Sequence, residues 1–430
     1  MMDNQTAAGQ KKHGNCIAHV DDYFAKNENI KQRGNFMKKE KHIRTGIIGS
    51  GFAASFHFEA IRKVYRTDVE VVGVYSKTRE NREAYAQKRE IKSFNSIEEL
   101  LDNCDAVHIC TPVSTHEMFT VMALERDKYP IVEKPLTGYF GNDSGDFRGD
   151  TAPKMEVLDN ALNSIDRILE AESKSKARLL YAENWVYAPA IQKEREMIEK
   201  TGAQILWMHG EEAHSGSHAP TYGYWKYSGG GVMLGKGCHP LTAALYLKRV
   251  EGRTRGKDPI KPQSVSARIH SITRLESYID RGHIRADYHD IDDFSLMHVQ
   301  FEDGTVADIF ASDIILGGIH NWLEVAANNH RTICNINPNT TMQTYNPVEE
   351  YFKDIYTVEK IETKQGWSNP APAEDMITGY PDEMESFYGA IAYNEPFESD
   401  SSLAADAIST IFSAYVSAER EGSKIMIRNY

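Results

Sequence analysis

The turn Gly49-Ser50-Gly51-Phe52-Ala53-Ala54 could hold a phosphate-bearing ligand. It follows the apolar run 43–48 and precedes a helical stretch at 53–65, so it is G-x-G-x-x-A in the strand–turn–helix setting that this motif requires. Gly49 permits the tight turn, Gly51 lets backbone approach a pyrophosphate without a Cβ in the way, and Ala54 allows close helix–strand packing. The amides of Phe52 and Ala53, at the helix start, then face the anion. In an NAD site the second strand ends in an acid that binds the ribose hydroxyls. Here the strand 69–75 runs into Ser76-Lys77-Thr78-Arg79, a hydroxyl followed by two cations, which predicts NADP in preference to NAD. A second chemical concentration is 211–226, EEAHSGSHAPTYGYWK, whose aromatics and hydrogen-bonding groups suit one wall of a carbohydrate cleft. His214 and His218 are spaced i, i+4, but Ser-Gly-Ser between them is a poor helix and no metal-ligand motif is complete, so no metal is expected.

Elements that could position these groups follow from the hydropathy pattern. From 43 to 183, short β-branched runs (43–48, 69–75, 106–110, 130–132, 178–181) alternate with helical stretches (53–65, 79–89, 96–103, 116–127, 155–174), which predicts parallel βαβ units. The stretch 138–153 reads as a loop. After a helix at 189–200 come longer alternating runs at 204–210, 265–274, 294–302, 305–312, 323–327, 332–337 and 356–363. With the Asp303-Gly304 turn they predict an antiparallel sheet covered on one face. Helices at 382–392 and 402–420 close the chain. The fold class is thus α/β, divided into a flexible extension over 1–41, a dinucleotide-binding domain over 42–185 and a substrate-binding and oligomerisation domain over 186–430. Met37, opening a lysine-rich run just before the first strand, is as good a translation start as Met1.

Sixty-two acidic against 49 basic side chains give a net charge of −13, which repels phosphate backbones and anionic lipid and so argues against nucleic-acid or membrane partners. The cysteines, Cys16, Cys104, Cys110, Cys238 and Cys334, contain no C-x-x-C pair. That pattern fits a reducing cytoplasm, and no stretch reads as an export signal or a membrane span.

Three further segments carry a family resemblance over about 43–427. AVHICTPVSTHEMFTVMAL resembles the fourth strand, Thr-Pro turn and helix of the glucose–fructose oxidoreductase and inositol dehydrogenase (Gfo/Idh/MocA) family; IVEKPL contains its Glu133-Lys134-Pro135 triplet; WKYSGGGVMLGKGCHPLTAALYL resembles its glycine-rich, histidine-containing catalytic helix. The resemblance implies a Rossmann domain followed by an α/β domain with a large, mostly antiparallel open sheet, and hydride exchange between NAD(P) and a carbinol carbon of a sugar, sugar derivative or cyclic polyol. It implies Lys134 as the group polarising the reacting oxygen and His239 as the acid/base. Cofactor contacts are implied at Gly49, Gly51, Phe52, Ala53, Ser76, Lys77, Arg79, Thr111, Pro112, His116, Glu133 and Lys134, substrate contacts at Tyr187, His214, Trp225 and Lys236, and a homodimer or homotetramer as the assembly.

One departure stands out. The family generally has Asp one helical turn before the histidine, and this chain has Gly235 there and Thr242 a turn after it. Glu183, at the crossover between the domains, is the first candidate to replace that carboxylate as His239's partner. The departure keeps open a redox-neutral cleavage through a transient ketone, and, from another class, an NADPH-sensing protein without chemistry.

Overall fold

The computed structural model describes residues 41–141, 147–217, 219–336, 342–357 and 360–430. The expected extension and alternative start at Met37, together with His218, lie outside them.

The βαβ alternation resolves into β1 (His42–Ile48), α1 (Phe52–Ile61), β2 (Asp68–Tyr75), α2 (Arg79–Arg89), β3 (Lys92–Ser93), α3 (Ile97–Asp102), β4 (Ala106–Ile109), α4 (His116–Leu124), β5 (Tyr129–Glu133), α5 (Lys154–Lys174) and β6 (Leu180–Ala182). These strands form a parallel sheet in the order β3-β2-β1-β4-β5-β6. The order reverses between β1 and β4, and in such sheets the crevice beyond the strand ends at that switch is where a ligand sits. Gly49 closes β1 there with φ +115°, where an added Cβ would lie 2.2 Å from the Cys110 carbonyl oxygen, so only glycine fits.

Two short helices, α6 (Asn184–Tyr187) and α7 (Pro189–Thr201), lead to the second sheet. Its elements are β7 (Ile205–Ala213), α8 (Trp225–Ser228), α9 (Val232–Gly235), α10 (Cys238–Thr254), β8 (Pro262–His270), β9 (Phe294–Phe301), β10 (Val306–Ser312), β11 (His320–Ala327) and β12 (Arg331–Asn335). After the small hairpin pair β13 (Thr344–Asn346) and β14 (Gly366–Ser368) come α11 (Glu374–Ile377), α12 (Tyr380–Tyr393), α13 (Ser401–Glu419) and β15 (Ile425–Met426). The strand order is β12-β11-β7-β10-β9-β8-β15, antiparallel except for the parallel pair β7 and β10. The fold is therefore α/β as expected, with a Rossmann-like parallel sheet followed by a mostly antiparallel one. The Asp303-Gly304 turn joins β9 to β10 with Gly304 at φ +84°.

Several boundaries differ from the sequence reading. No strand occupies 356–363 among the described residues; Asn346 and Lys364 are instead tied side chain to carbonyl at 3.1 Å, beside the β13–β14 pair that the reading missed. The expected strand at 332–337 ends at Asn335, and 337 lies outside the described residues. No helix among the described residues is long and apolar enough to cross a membrane.

Helices α10 and α13 are buried along nearly their whole length; α13 is largely apolar, whereas α10 carries buried charges. Helix α13 packs on β8, α5 and α10, while α10 packs on α7 and β7. Helix α12 packs against α1 and sends Tyr388 to His108 Nε2 at 2.7 Å. His108 Nδ1 meets His57 Nδ1 at 2.7 Å, and His57 Nε2 meets Glu133 Oε1 at 2.8 Å. The terminal carboxylate only accepts, so the protons run one way: the Tyr388 hydroxyl donates to His108, His108 to His57 and His57 to Glu133. Burial holds the His108 pKa well below the usual imidazole value, which keeps that link neutral.

Two charged residues inside α10, Lys248 and Glu251, have no exposure. Lys248 pairs with Glu251 and with Asp303 Oδ2 at 2.9 Å, and Glu251 also accepts from Ile205 N. Lys248→Met therefore leaves buried carboxylates short of their cation. The expected loss is about 3 kcal/mol in urea denaturation, whereas an exposed pair such as Arg79–Glu83 would register well under that.

Candidate functional site

The dinucleotide turn has room where a nucleotide would need it. At Gly51 an added Cβ would meet nothing within 4 Å, so the backbone face at the start of α1 is open, as a pyrophosphate cradle requires. Ser76 Oγ lies 3.0 Å from Ser50 Oγ, which ties the end of β2 to the turn. Lys77 is exposed, whereas Arg79 is exposed but bonded to Glu83 on its own helix at 2.7 Å. Arg82, unassigned by the sequence reading, braces this corner through the Ser76 carbonyl, Ser93 and Asn95. Thr111 and Pro112 follow β4, and His116 fixes them. Its ring nitrogens face the Thr111 and Pro135 carbonyls, each at 2.9 Å, and burial lowers its pKa, so the neutral ring donates to one of them at a time. His116 is thus a brace between the Thr-Pro turn and the Glu133-Lys134-Pro135 segment.

Glu133 ends β5. Burial pushes its pKa up, but the bond and charge of His57 together with Lys134 and His116 outweigh that and hold it down, while its second oxygen accepts from Lys134 N at 3.1 Å. The Lys134 ammonium donates to the Gly235 carbonyl at 3.1 Å. Burial pulls this lysine's pKa down, yet the neighbouring Cys238, Glu212, Glu133 and Glu183 raise it on balance, so Lys134 stays a cation at neutral pH.

His239 sits in the first turn of α10, ring stacked on Trp185 with centroids 5.7 Å apart. Its Nδ1 is hydrogen-bonded to Glu183 Oε1. Because a carboxylate accepts, Nδ1 carries the hydrogen and Nε2 is left as the base in the neutral ring. Glu212 Oε2, on β7, lies 3.7 Å from that Nε2. Burial raises the Glu212 pKa. Lys134, Glu183 and His239 are thus brought together, and the carboxylate that Gly235 lacks comes from Glu183. Glu183, Cys238 and His239 place one donor atom each within 4.8 Å of one another, but burial pushes the Cys238 thiol far above its ordinary pKa. As a neutral thiol it is a poor metal ligand, beside an ammonium that already supplies positive charge.

The residues read as substrate contacts divide. Lys236 is buried against Asp313, whose other oxygen accepts from Tyr288 at 2.7 Å, and His214 lies 3.7 Å from the same carboxylate. Gly216 N donates to His214 Nδ1, so that histidine helps shape the loop. Tyr187 and Trp225 are placed otherwise than expected. The Tyr187 hydroxyl bonds Ser399 Oγ and accepts from the amides of Glu398 and Ser399. Trp225 is buried, donates to the Tyr139 carbonyl at 2.9 Å and packs on Tyr415. Their amphipathic rings are consumed by packing with a polar tip satisfied, a role that residue type alone cannot separate from sugar stacking.

Glu212, Asp313 and Tyr222 went unrecognised. A signal existed for Glu212: it shares strand parity with the inward Met208 and Gly210, and an acid at core parity is anomalous.

Residues 43–141 match the family model GFO_IDH_MocA, described as an oxidoreductase family with an NAD-binding Rossmann fold. Over that span the chain is similar to the Rossmann part of that family. Curated relatives include UDP-N-acetylglucosamine 3-dehydrogenase of Acidithiobacillus ferrooxidans, 33% identical over 96 residues, or 22% of this chain and 29% of that protein. Glucose-6-phosphate 3-dehydrogenase of Bacillus subtilis is 29% identical over 114 residues, covering 26% of this chain and 31% of the relative. The chain thus matches about a third of the length of these relatives. Among solved structures, GenD2 from gentamicin A biosynthesis, in complex with NAD, superposes with TM-score 0.72 at 19% identity, over 91% of this chain and 97% of that one, a likeness of fold. The matched span includes the dinucleotide turn, the Thr-Pro turn and Lys134; His239 lies beyond it.

Gly235 also has a steric reason. A Cβ there would lie 2.5 Å from the Tyr222 hydroxyl and 2.8 Å from its ring. Gly235→Ala and Gly235→Asp should therefore destabilise alike, by about 1–3 kcal/mol in urea denaturation, since the Cβ itself collides. A loss confined to the aspartate would assign the effect to charge.

Proposed function

We propose that this protein is an NAD(P)-dependent dehydrogenase that oxidises or reduces a carbinol carbon of a sugar, sugar derivative or cyclic polyol, with the nucleotide held by 42–185 and the substrate by 186–430. The observation that carries this reading is the juxtaposition of a cationic Lys134, a His239 whose Nε2 is free to take a proton, and the open turn at Gly51. The dehydrogenases named among the relatives act on sugars, and GenD2 was solved with NAD, which supports the same class here.

The bound nicotinamide supplies a hydride acceptor or donor. His239 Nε2 takes the hydroxyl proton as the carbonyl forms, and Glu183 on Nδ1 stabilises the imidazolium that results. Lys134 stabilises negative charge growing on the oxygen, and its permanent cation suits that role better than a proton carrier's. Glu183 supplies the carboxylate whose absence at 235 kept redox-neutral cleavage open, so that alternative loses its motive. Retention of both Lys134 and His239 argues likewise against a sensor without chemistry. The exposed Leu206, Leu296 and Ile333 of the second sheet support assembly through a second copy of the chain.

The reading is tested by following nicotinamide absorbance with a sugar and polyol panel. Lys134→Ala and His239→Ala should each lower kcat by roughly 10²–10⁴-fold while leaving nucleotide affinity nearly unchanged. Full activity in the double variant refutes it.

For the nucleotide, Ser76 and the exposed Lys77 support NADP over NAD, while Arg79 must leave Glu83 to help. Calorimetric titration should show tighter NADPH than NADH binding, and Ser76→Asp should invert the order by repelling the 2′-phosphate. Tighter NADH binding by the unmodified chain would overturn the preference.

A further inference from the structure

Glu212 is 8% exposed, and its Oε2 is buried with no hydrogen-bond partner among the described residues. Buried carboxyl oxygens are nearly always paired, and leaving one unpaired costs free energy. Glu183 repeats the pattern, with one oxygen on His239 and the other buried and unpartnered. Neither nearby ammonium is hydrogen-bonded to these two oxygens: Lys236 is bonded to Asp313, and Lys134 donates to the Gly235 carbonyl. His239 Nε2 beside Glu212 is itself an acceptor. Among the described residues no donor is bonded to either oxygen.

We propose that Glu212 Oε2 and His239 Nε2 form a paired acceptor, 3.7 Å apart, for two donors on adjacent carbons of a ring. The substrate is then a vicinal diol or amino alcohol: the hydroxyl on His239 reacts, and its neighbour is held by Glu212. This rests on the dehydrogenase reading above and adds a specificity-determining residue to it. Two substituents on neighbouring ring carbons lie close enough to reach both acceptors at once. Glu212 takes no part in the proton or hydride transfer. A neighbour blocked as an ether or phosphate ester brings no donor, and a phosphate adds like charge against the carboxylate. An ammonium at that carbon makes a charge-assisted bond to Glu212, stronger than a neutral hydroxyl's.

The test uses the full chain saturated with nucleotide, and glucose, glucosamine, the monodeoxyglucoses and glucose 6-phosphate as probes. Turnover is read by nicotinamide absorbance and binding by saturation-transfer NMR. Removal of the hydroxyl next to the reacting carbon should lower kcat/KM by about 10–100-fold, the cost of an unpaired buried acceptor. Glu212→Leu, close in volume and without an acceptor, should erase that discrimination. Glu212→Gln, which still accepts from a hydroxyl, should restore it for the diol while weakening any preference for the amine. If a probe is turned over but Glu212→Leu lowers every substrate equally, or no deoxy analogue is penalised in the unmodified chain, the inference fails and the dehydrogenase reading stands. If no probe binds or reacts, both fail. Should Glu212→Leu not fold, the deoxy series on the unmodified chain alone decides.

Discussion

The bond between His239 Nδ1 and Glu183 is the contact on which the rest of the site depends. Glu183 directly follows β6, the last strand of the parallel sheet, and His239 opens the helix that lies beneath the second sheet. The bond fixes the tautomer of the ring, turns Nε2 toward Glu212, and joins the two sheets at the point where Lys134 reaches across to Gly235. Trp185, two residues after Glu183, stacks on the same ring, so one short crossover sets both the plane of the imidazole and its protonation pattern. Buried at both ends, the pair holds its geometry without competition from water.

The charges around that bond are arranged by compensation. Three carboxylates, Glu133, Glu183 and Glu212, surround a single ammonium at Lys134 and, together with Cys238, hold its pKa up against the pull of burial. A cation maintained in this way needs no reorganisation when negative charge develops on a nearby oxygen, which is the condition for efficient electrostatic stabilisation. The second buried lysine, Lys236, is matched one to one with Asp313 and lies over the Tyr222 ring at 5.0 Å. The two lysines therefore differ in kind: one is held by a field of several acids, the other by a dedicated partner.

Much of this was legible in the sequence, for identifiable reasons. Parallel strands buried on both faces leave continuous β-branched runs, and β1, β2, β4 and β5 were placed to within a few residues because nothing else has that composition. Lys134 and His239 were singled out by segments of fixed spacing, and the reasoning that a histidine without its usual carboxylate needs another picked out Glu183, which the structure hydrogen-bonds to His239. Tyr187 and Trp225 lie buried in the packing, and a buried aromatic and a sugar-stacking aromatic present the same letters. Asp313 was invisible: it lies just past the end of β10, and its partners Lys236 and Tyr288 come from distant parts of the chain. Short strands such as β3 and the β13–β14 pair have too few residues to show a period, and 356–363 shows that alternation without a pairing neighbour does not make a strand.

The chain of hydrogen bonds from Tyr388 through His108 and His57 to Glu133 bears on how the molecule is made. Three of its members belong to the first sheet and its leading helix, but the fourth arrives on α12, close to the C-terminus. During synthesis the first half leaves the ribosome before α12, so until most of the remaining chain has followed the Tyr388 hydroxyl is not there to meet His108 Nε2. The half that looks most self-sufficient in the sequence is completed last, and a fragment ending after β6 would lack the donor at the far end of this chain of hydrogen bonds.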